Sequence, residues 1–164
     1  MPAATPTFSY PSGNYSTQLT LVISDKTPKA TIYYTLNGTT PIPGKAAIYS
    51  GPVNIRQSET VKAVAAALPD FTVSAAASAT YTFAAAAPQF SPPAGTYAAS
   101  QQVTISSKTP TATIFYTTNG SAPTSSSSKY TGPITVAKSG QLRAIALETG
   151  FTPSPVVSAS YTIQ

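Results

Sequence analysis

No histidine, cysteine or tryptophan occurs among the 164 residues. Without imidazole there is no histidine general base and no partner to activate a serine or cysteine nucleophile. Without imidazole or thiolate the usual zinc ligands are missing, and no disulfide can staple the fold. The lack of cysteine fits both bacterial secretion and the cytosol. Carboxylates are nearly as scarce: Asp25, Glu59, Asp70 and Glu148 are the full set. Glycoside hydrolysis needs two of them flanking one bond, and a calcium site needs several oxygens with charge among them. The chain is therefore expected to be no enzyme and to hold no metal and no cofactor. No stretch approaches the ~18 apolar residues of a membrane span, so membrane insertion is not expected. Met1-Pro-Ala-Ala-Thr-Pro also lacks the basic start and apolar core of a signal peptide. Either a leader has been removed, or export or assembly takes another route.

What the chain does have is a duplication. Phe8-Ser-Tyr-Pro-Ser-Gly-Asn-Tyr15 returns as Phe90-Ser-Pro-Pro-Ala-Gly-Thr-Tyr97, and Ala30-Thr-Ile-Tyr-Tyr-Thr-Leu-Asn-Gly38 as Ala112-Thr-Ile-Phe-Tyr-Thr-Thr-Asn-Gly120. Tyr49-Ser-Gly-Pro52 returns as Tyr130-Thr-Gly-Pro133, and Ser78-Ala-Thr-Tyr-Thr-Phe83 as Ser158-Ala-Ser-Tyr-Thr-Ile163. Internal repetition fixes architecture before any other signal. It predicts two domains, residues 1–84 and 85–164, joined by Phe83-Ala-Ala-Ala-Ala-Pro-Gln-Phe90 as a very short linker stiffened by Pro88. Aligned on each other, the copies share none of the four acids. Asp25, Glu59, Asp70 and Glu148 face Ser107, Gly140, Gly150 and Leu68, which again argues against catalysis. The net charge of +5 is scattered over both copies with no run of cations. Nucleic acid, which calls for clustered lysine and arginine, is not an expected partner.

Hydrophobicity alternates with period two. Leu19, Leu21 and Ile23 correspond to Val103 and Ile105; Val61, Ala63 and Ala65 correspond to Leu142, Ala144 and Ala146. Between the runs stand Pro-Ser-Gly-Asn, Lys-Thr-Pro, Asn-Gly and Ser-Gly-Pro turn signals, with Asn-Gly supplying the positive φ of a tight reversal. Short strands spaced about 8–12 residues apart with one apolar face predict an all-β chain: two tandem antiparallel β-sandwiches of about seven strands each.

The Tyr-Thr-x-Asn-Gly-x-x-Pro, Tyr-x-Gly-Pro and closing Ser-Ala-x-Tyr-Thr segments occur in order, twice. Each repeat resembles the chitobiase/β-hexosaminidase C-terminal domain, a bacterial immunoglobulin-like or fibronectin-III-like module, over residues 6–83 and 88–163. The resemblance implies an accessory domain without catalytic residues, like those appended to secreted glycoside hydrolases, bacterial surface proteins and some virion proteins. It implies an extracellular or cell-surface setting as part of a larger polypeptide or assembly. The family usually carries Asp before the turn glycine, where this chain has Asn37 and Asn119; Asn suits a left-handed turn at least as well, though any cation or salt bridge at that aspartate is put in doubt.

Parity sorts the aromatics, which number ten tyrosines and six phenylalanines. Tyr34/Tyr116 and Tyr81/Tyr161 share a face with core residues, and their hydroxyls are expected to find main-chain partners. Tyr15/Tyr97 and Tyr49/Tyr130 stand beside turns and read as loop clasps. Tyr33 and Phe115 fall on the other face, between Thr31 and Thr35 and between Thr113 and Thr117. An aromatic flanked by hydroxyls suits the C–H face of a sugar, so these six residues are the candidate carbohydrate contact, with two copies adding avidity. Packing of the outer face is the competing reading of the same residues. Two functions follow: an accessory module that binds polysaccharide, or a structural spacer or assembly subunit whose partners are other protein subunits.

Overall fold

The computed structural model describes residues 1–164, in strands and turns throughout with no helix. The chain divides into two compact units, Met1–Phe83 and Ala84–Gln164. The first holds β1 (Thr7–Phe8), β2 (Gly13–Tyr15), β3 (Leu19–Leu21), β4 (Ile23–Ser24), β5 (Thr31–Thr35), β6 (Ala47–Ile48), β7 (Val53–Ile55), β8 (Glu59–Ala66) and β9 (Ala77–Phe83). The second holds β10 (Gln89–Ser91), β11 (Gly95–Tyr97), β12 (Gln101–Ser106), β13 (Thr113–Thr117), β14 (Ser128–Lys129), β15 (Ile134–Val136), β16 (Gly140–Leu147) and β17 (Val157–Ile163).

Each unit is an immunoglobulin-like sandwich. One layer is a five-stranded sheet, ordered β2-β9-β8-β5-β6 in the first and β11-β17-β16-β13-β14 in the second. The other layer is β10-β12-β15 in the second unit, and the pairs β1-β4 and β3-β7 in the first. That layer is interrupted at Val22, where Ser9 trades two hydrogen bonds with it: the Ser9 N–H donates to the Val22 carbonyl, and the Val22 N–H to Ser9 Oγ. In the second unit β12 runs unbroken, with Ser91 paired to Thr104.

Two expectations need correction. First, the strands do not all pair antiparallel: β1 and β10 lie in the small layer, while β2 and β11 cross to the large one and pair in parallel with β9 and β17. The crossing is held by a clasp, since the Tyr15 and Tyr97 hydroxyls donate to the carbonyls of Pro11 and Pro93 at 2.8 and 2.7 Å. Second, the alanines after Phe83 are no linker. Ala84 bridges to Thr152, the Ala85 N–H donates to the Thr152 carbonyl, and Ala85 is buried. The Ala86 N–H donates to Thr109 Oγ1. Pro2, Ala3 and Ala4 repeat these contacts with Thr72 and Thr27, so the stretch is the second unit's opening arm.

The alternation reads out as the core. Leu21, Ile55, Val61, Ala63, Ala65, Tyr81 and Phe83 are buried in the first unit, and Val103, Leu142, Ala144, Ala146 and Tyr161 in the second. Each large aliphatic so buried contributes roughly 1.5–3 kcal/mol, more than any β propensity, and that fixes which face turns inward. Rings lie beside small partners, Tyr34 opposite Ala63 and Tyr116 opposite Ala144. The Asn-Gly turns form and supply the expected positive φ, through the glycine and not the asparagine. Gly38 and Gly120 take the positive φ, 76° and 78°. Asn37 and Asn119 instead accept hydrogen bonds through Oδ1 from the main chain and hydroxyl of Thr39 and Ser121, a short side-chain turn that Asp can make equally well.

Candidate functional site

Strands β5 and β13 carry the expected contact residues. The pleat places Tyr33 across from Ile48 and Val64, and Phe115 across from Lys129 and Ile145. Ile114 and Tyr116, of opposite parity, belong to the core cluster with Ala144 and Ala146, so Phe115 lies on the outer face. Both Tyr33 and Phe115 are half-buried. The two faces differ. Val64 and Ala66 are buried at 2% and 8% exposure, whereas their counterparts Ile145 and Leu147 remain partly open.

The threonines divide as well. Thr35 and Thr117 donate their hydroxyl protons to the carbonyls of Thr39 and Ser121 at 2.5 and 2.6 Å, holding the turn that follows each strand. Thr31 and Thr113 lie at the far end, opposite Ala66 and Leu147. There the second unit has an open groove of about 400 Å³ lined by Thr113, Phe115, Leu147, Glu148, Thr149, Phe151 and Pro153. Thr113 and Phe115 are thus brought together with five residues that parity did not select. Thr117 lies apart, in a polar depression with Asn119 and Ser126–Ser128. Of the unselected residues, Phe151 carried a signal in being repeated as Phe71. It sits past the end of β16, where alternation no longer says which way a side chain faces.

Glu148 is the second unit's sole carboxylate. Its main-chain carbonyl accepts from the Phe151 N–H as that of Ala67 does from Phe71, which makes Ala67, and not Leu68, its structural counterpart. The loop Leu68-Pro69-Asp70 is thereby shortened to Thr149-Gly150. The remaining acids are dispersed. Asp70 is exposed, Glu59 begins β8, and Asp25 caps a turn by accepting the Thr27 N–H at 2.7 Å. Burial raises the Glu59 carboxyl above its ordinary 4.5. Nowhere do three acids, histidines or cysteines gather as a metal cluster, and no helix is long and apolar enough to cross a membrane.

The family model described as "Chitobiase/beta-hexosaminidase C-terminal domain" matches residues 10–68 and again 92–158. The chain belongs to that family, in two copies. The family is one of non-catalytic, immunoglobulin-like accessory modules. No curated protein matches the chain. Among solved structures, the fibronectin(III)-like modules of Clostridium thermocellum CbhA are similar at 15% identity and a TM-score of 0.33, covering 97% of this chain and 94% of that one. The N-terminal Ig1-2 module of the Drosophila receptor protein tyrosine phosphatase DLAR gives 15% identity and a TM-score of 0.32, over 97% and 98%.

Proposed function

We propose that the protein is a non-catalytic accessory module that holds polysaccharide on the outer face of its second repeat, for a bacterial glycoside hydrolase or surface protein outside the cell. The observation that carries this reading is the groove, which Phe115 and Phe151 line together with two threonines and Glu148. Aromatic carbon against a sugar's C–H face, with oxygens for its hydroxyls, is a workable chemistry for weak glycan contact. The family's name supports it, being that of a domain of chitobiase and β-hexosaminidase, whose names are those of sugar-cleaving enzymes. The test is affinity electrophoresis of the whole chain through gels holding soluble cellulose derivatives, xylan or glucomannan, with calorimetry against chitin oligomers. Retardation that is lost in Phe115→Ala supports the reading; free migration on every polymer, and no heat with chitin oligomers, removes it.

A second reading, a spacer or assembly subunit, is favoured by a different observation. At the β6 edge of the first unit Ile48 is 59% exposed, and Ile42, in the turn before it, 57%. Uncharged apolar edges are where sheets pair with other chains.

A further inference from the structure

We infer that the groove takes uncharged pyranose polymers and discriminates against polyuronates; this rests on the polysaccharide reading above. Of the residues that line the groove one is ionisable, Glu148, and none is cationic. Lys129, paired with Phe115 from β14, stands on the same face beside the groove and outside its lining, so with the net charge it is the attraction for an anion that Glu148 must outweigh. Phe115, Phe151, Leu147 and Pro153 supply carbon surface, while Thr113 and Thr149 supply hydroxyls that both donate and accept.

An ionised carboxylate only accepts, so its partners must be donors. The hydroxyl groups of a neutral sugar are such donors, and two neighbouring ones can share the two carboxylate oxygens. Hydrogen bonds of this charge-assisted kind are roughly twice as strong as neutral ones. A uronate offers a second carboxylate instead, which adds like-charge repulsion and nothing to donate. The chain's net charge of +5 pulls the other way, attracting polyanions at long range. The discrimination is therefore local, and Glu148 is its source. The first repeat has Ala67 at this place, so it lacks the device.

The test is calorimetry at about 0.15 M ionic strength, where the long-range pull of the net charge is screened beyond about 8 Å while a contact between neighbouring charges persists. It compares cellohexaose and xylohexaose with hexagalacturonate on the full chain, on Glu148→Gln, on Phe115→Ala and on the double variant. The better neutral oligomer is expected to bind at least about threefold tighter than the uronate, the scale of one solvated like-charge contact. Glu148→Gln is expected to narrow that ratio, and Phe115→Ala in the Glu148→Gln background to abolish the uronate binding so gained, which places it in the groove. Uronate binding as tight as neutral binding in the wild type, or a ratio unmoved by Glu148→Gln, overturns the inference and leaves the polysaccharide reading standing. Absence of binding by every oligomer also overturns the inference, and where the polymers above show no retardation either, it removes both.

Discussion

The Tyr81 hydroxyl donates a 2.9 Å hydrogen bond to the Tyr10 carbonyl, tying the last strand of the first repeat to the point where its opening segment changes sheets. Tyr161 makes the same bond to Pro92 at 2.8 Å. Because the acceptor belongs to the main chain, Tyr10 and Pro92 can differ while the bond survives. Removing the hydroxyl breaks a part-buried hydrogen bond, so Tyr81→Phe and Tyr161→Phe are each expected to cost about 0.5–1.5 kcal/mol in chemical denaturation.

Both hydroxyls also resist ionisation. Burial, reinforced by the neighbouring Tyr15 ring 6.1 Å away, pushes Tyr81 up to about 12; burial and Tyr97 raise Tyr161 as well. The folded state therefore holds these protons more tightly than the unfolded chain. The stability they contribute is complete below the ordinary value of 10 and lost as pH climbs through the raised one. Absorbance titration is expected to show a late tyrosinate step near unfolding that shrinks in Tyr81→Phe. An unchanged late step refutes the assignment.

Ser74 and Ser154 are buried polar residues that stand where β8 and β16 run out of strand partners. Each Oγ accepts the N–H of Ala65 or Ala146 at 2.9 Å and donates onward to the carbonyl of Ala75 or Pro155. An alanine in either place leaves a buried N–H unsatisfied, at about 1–3 kcal/mol. Hydrogen exchange localises the effect: the Ala65 amide in Ser74→Ala, and the Ala146 amide in Ser154→Ala, are expected to exchange faster, with distant strands unchanged.

The two copies offer a natural comparison at one turn. Ser107 accepts the Thr109 N–H and donates to the Ala86 carbonyl. Its counterpart Asp25 accepts the Thr27 N–H, but its Oδ2 is buried without a partner. Ionised, an aspartate cannot donate to a carbonyl. Asp25→Ser is therefore expected to stabilise the chain by up to about 1 kcal/mol, and Ser107→Asp to destabilise it by more. Equal transitions for both variants count against this account.

The sandwich was legible because alternation and duplication are properties of side chains: Leu19, Leu21 and Ile23 point one way because the pleat makes them do so. What was misread lay where the main chain decides. The alanines at 84–87 carry no pattern, yet their backbone groups pair with Thr152 and Thr109. Asn37 resembles a left-handed residue by type, but Gly38 occupies that conformation. Thr113 and Phe115 could be chosen by parity within β13. Glu148, Phe151 and Pro153 come from a loop beyond β16, which parity does not reach.

Glu59 gives a pH dependence of the opposite sense to a salt-bridged acid. Burial raises its carboxyl, so the folded state favours the protonated form. The stability it contributes is present below the ordinary 4.5 and lost as pH rises through the raised value. Glu59→Gln is expected to match the wild type near about pH 4 and to exceed it at about pH 7. Denaturation midpoints at the two pH values decide it: a variant that gains nothing on going to neutral pH leaves Glu59 without this role.

The β6 and β14 edges differ in one decisive residue. Tyr33 is paired with Ile48, and Phe115 with Lys129. A lysine on an edge strand makes docking of another strand expensive, since its charge must be desolvated or its side chain displaced. Ile48 presents no such barrier and gains by being covered. Ile48→Lys is expected to lower the tendency of the chain to self-associate at high concentration, and Lys129→Ile to raise it, while each leaves the core intact because both positions are exposed. Sedimentation velocity over a concentration series separates the outcomes. If wild type and both variants remain monomeric alike, edge pairing between copies plays no part and the assembly reading is reduced to passive spacing. If Ile48→Lys alone dissolves an oligomer, the first repeat's edge is the contact, and the outer face of the second repeat stays free for a sugar polymer.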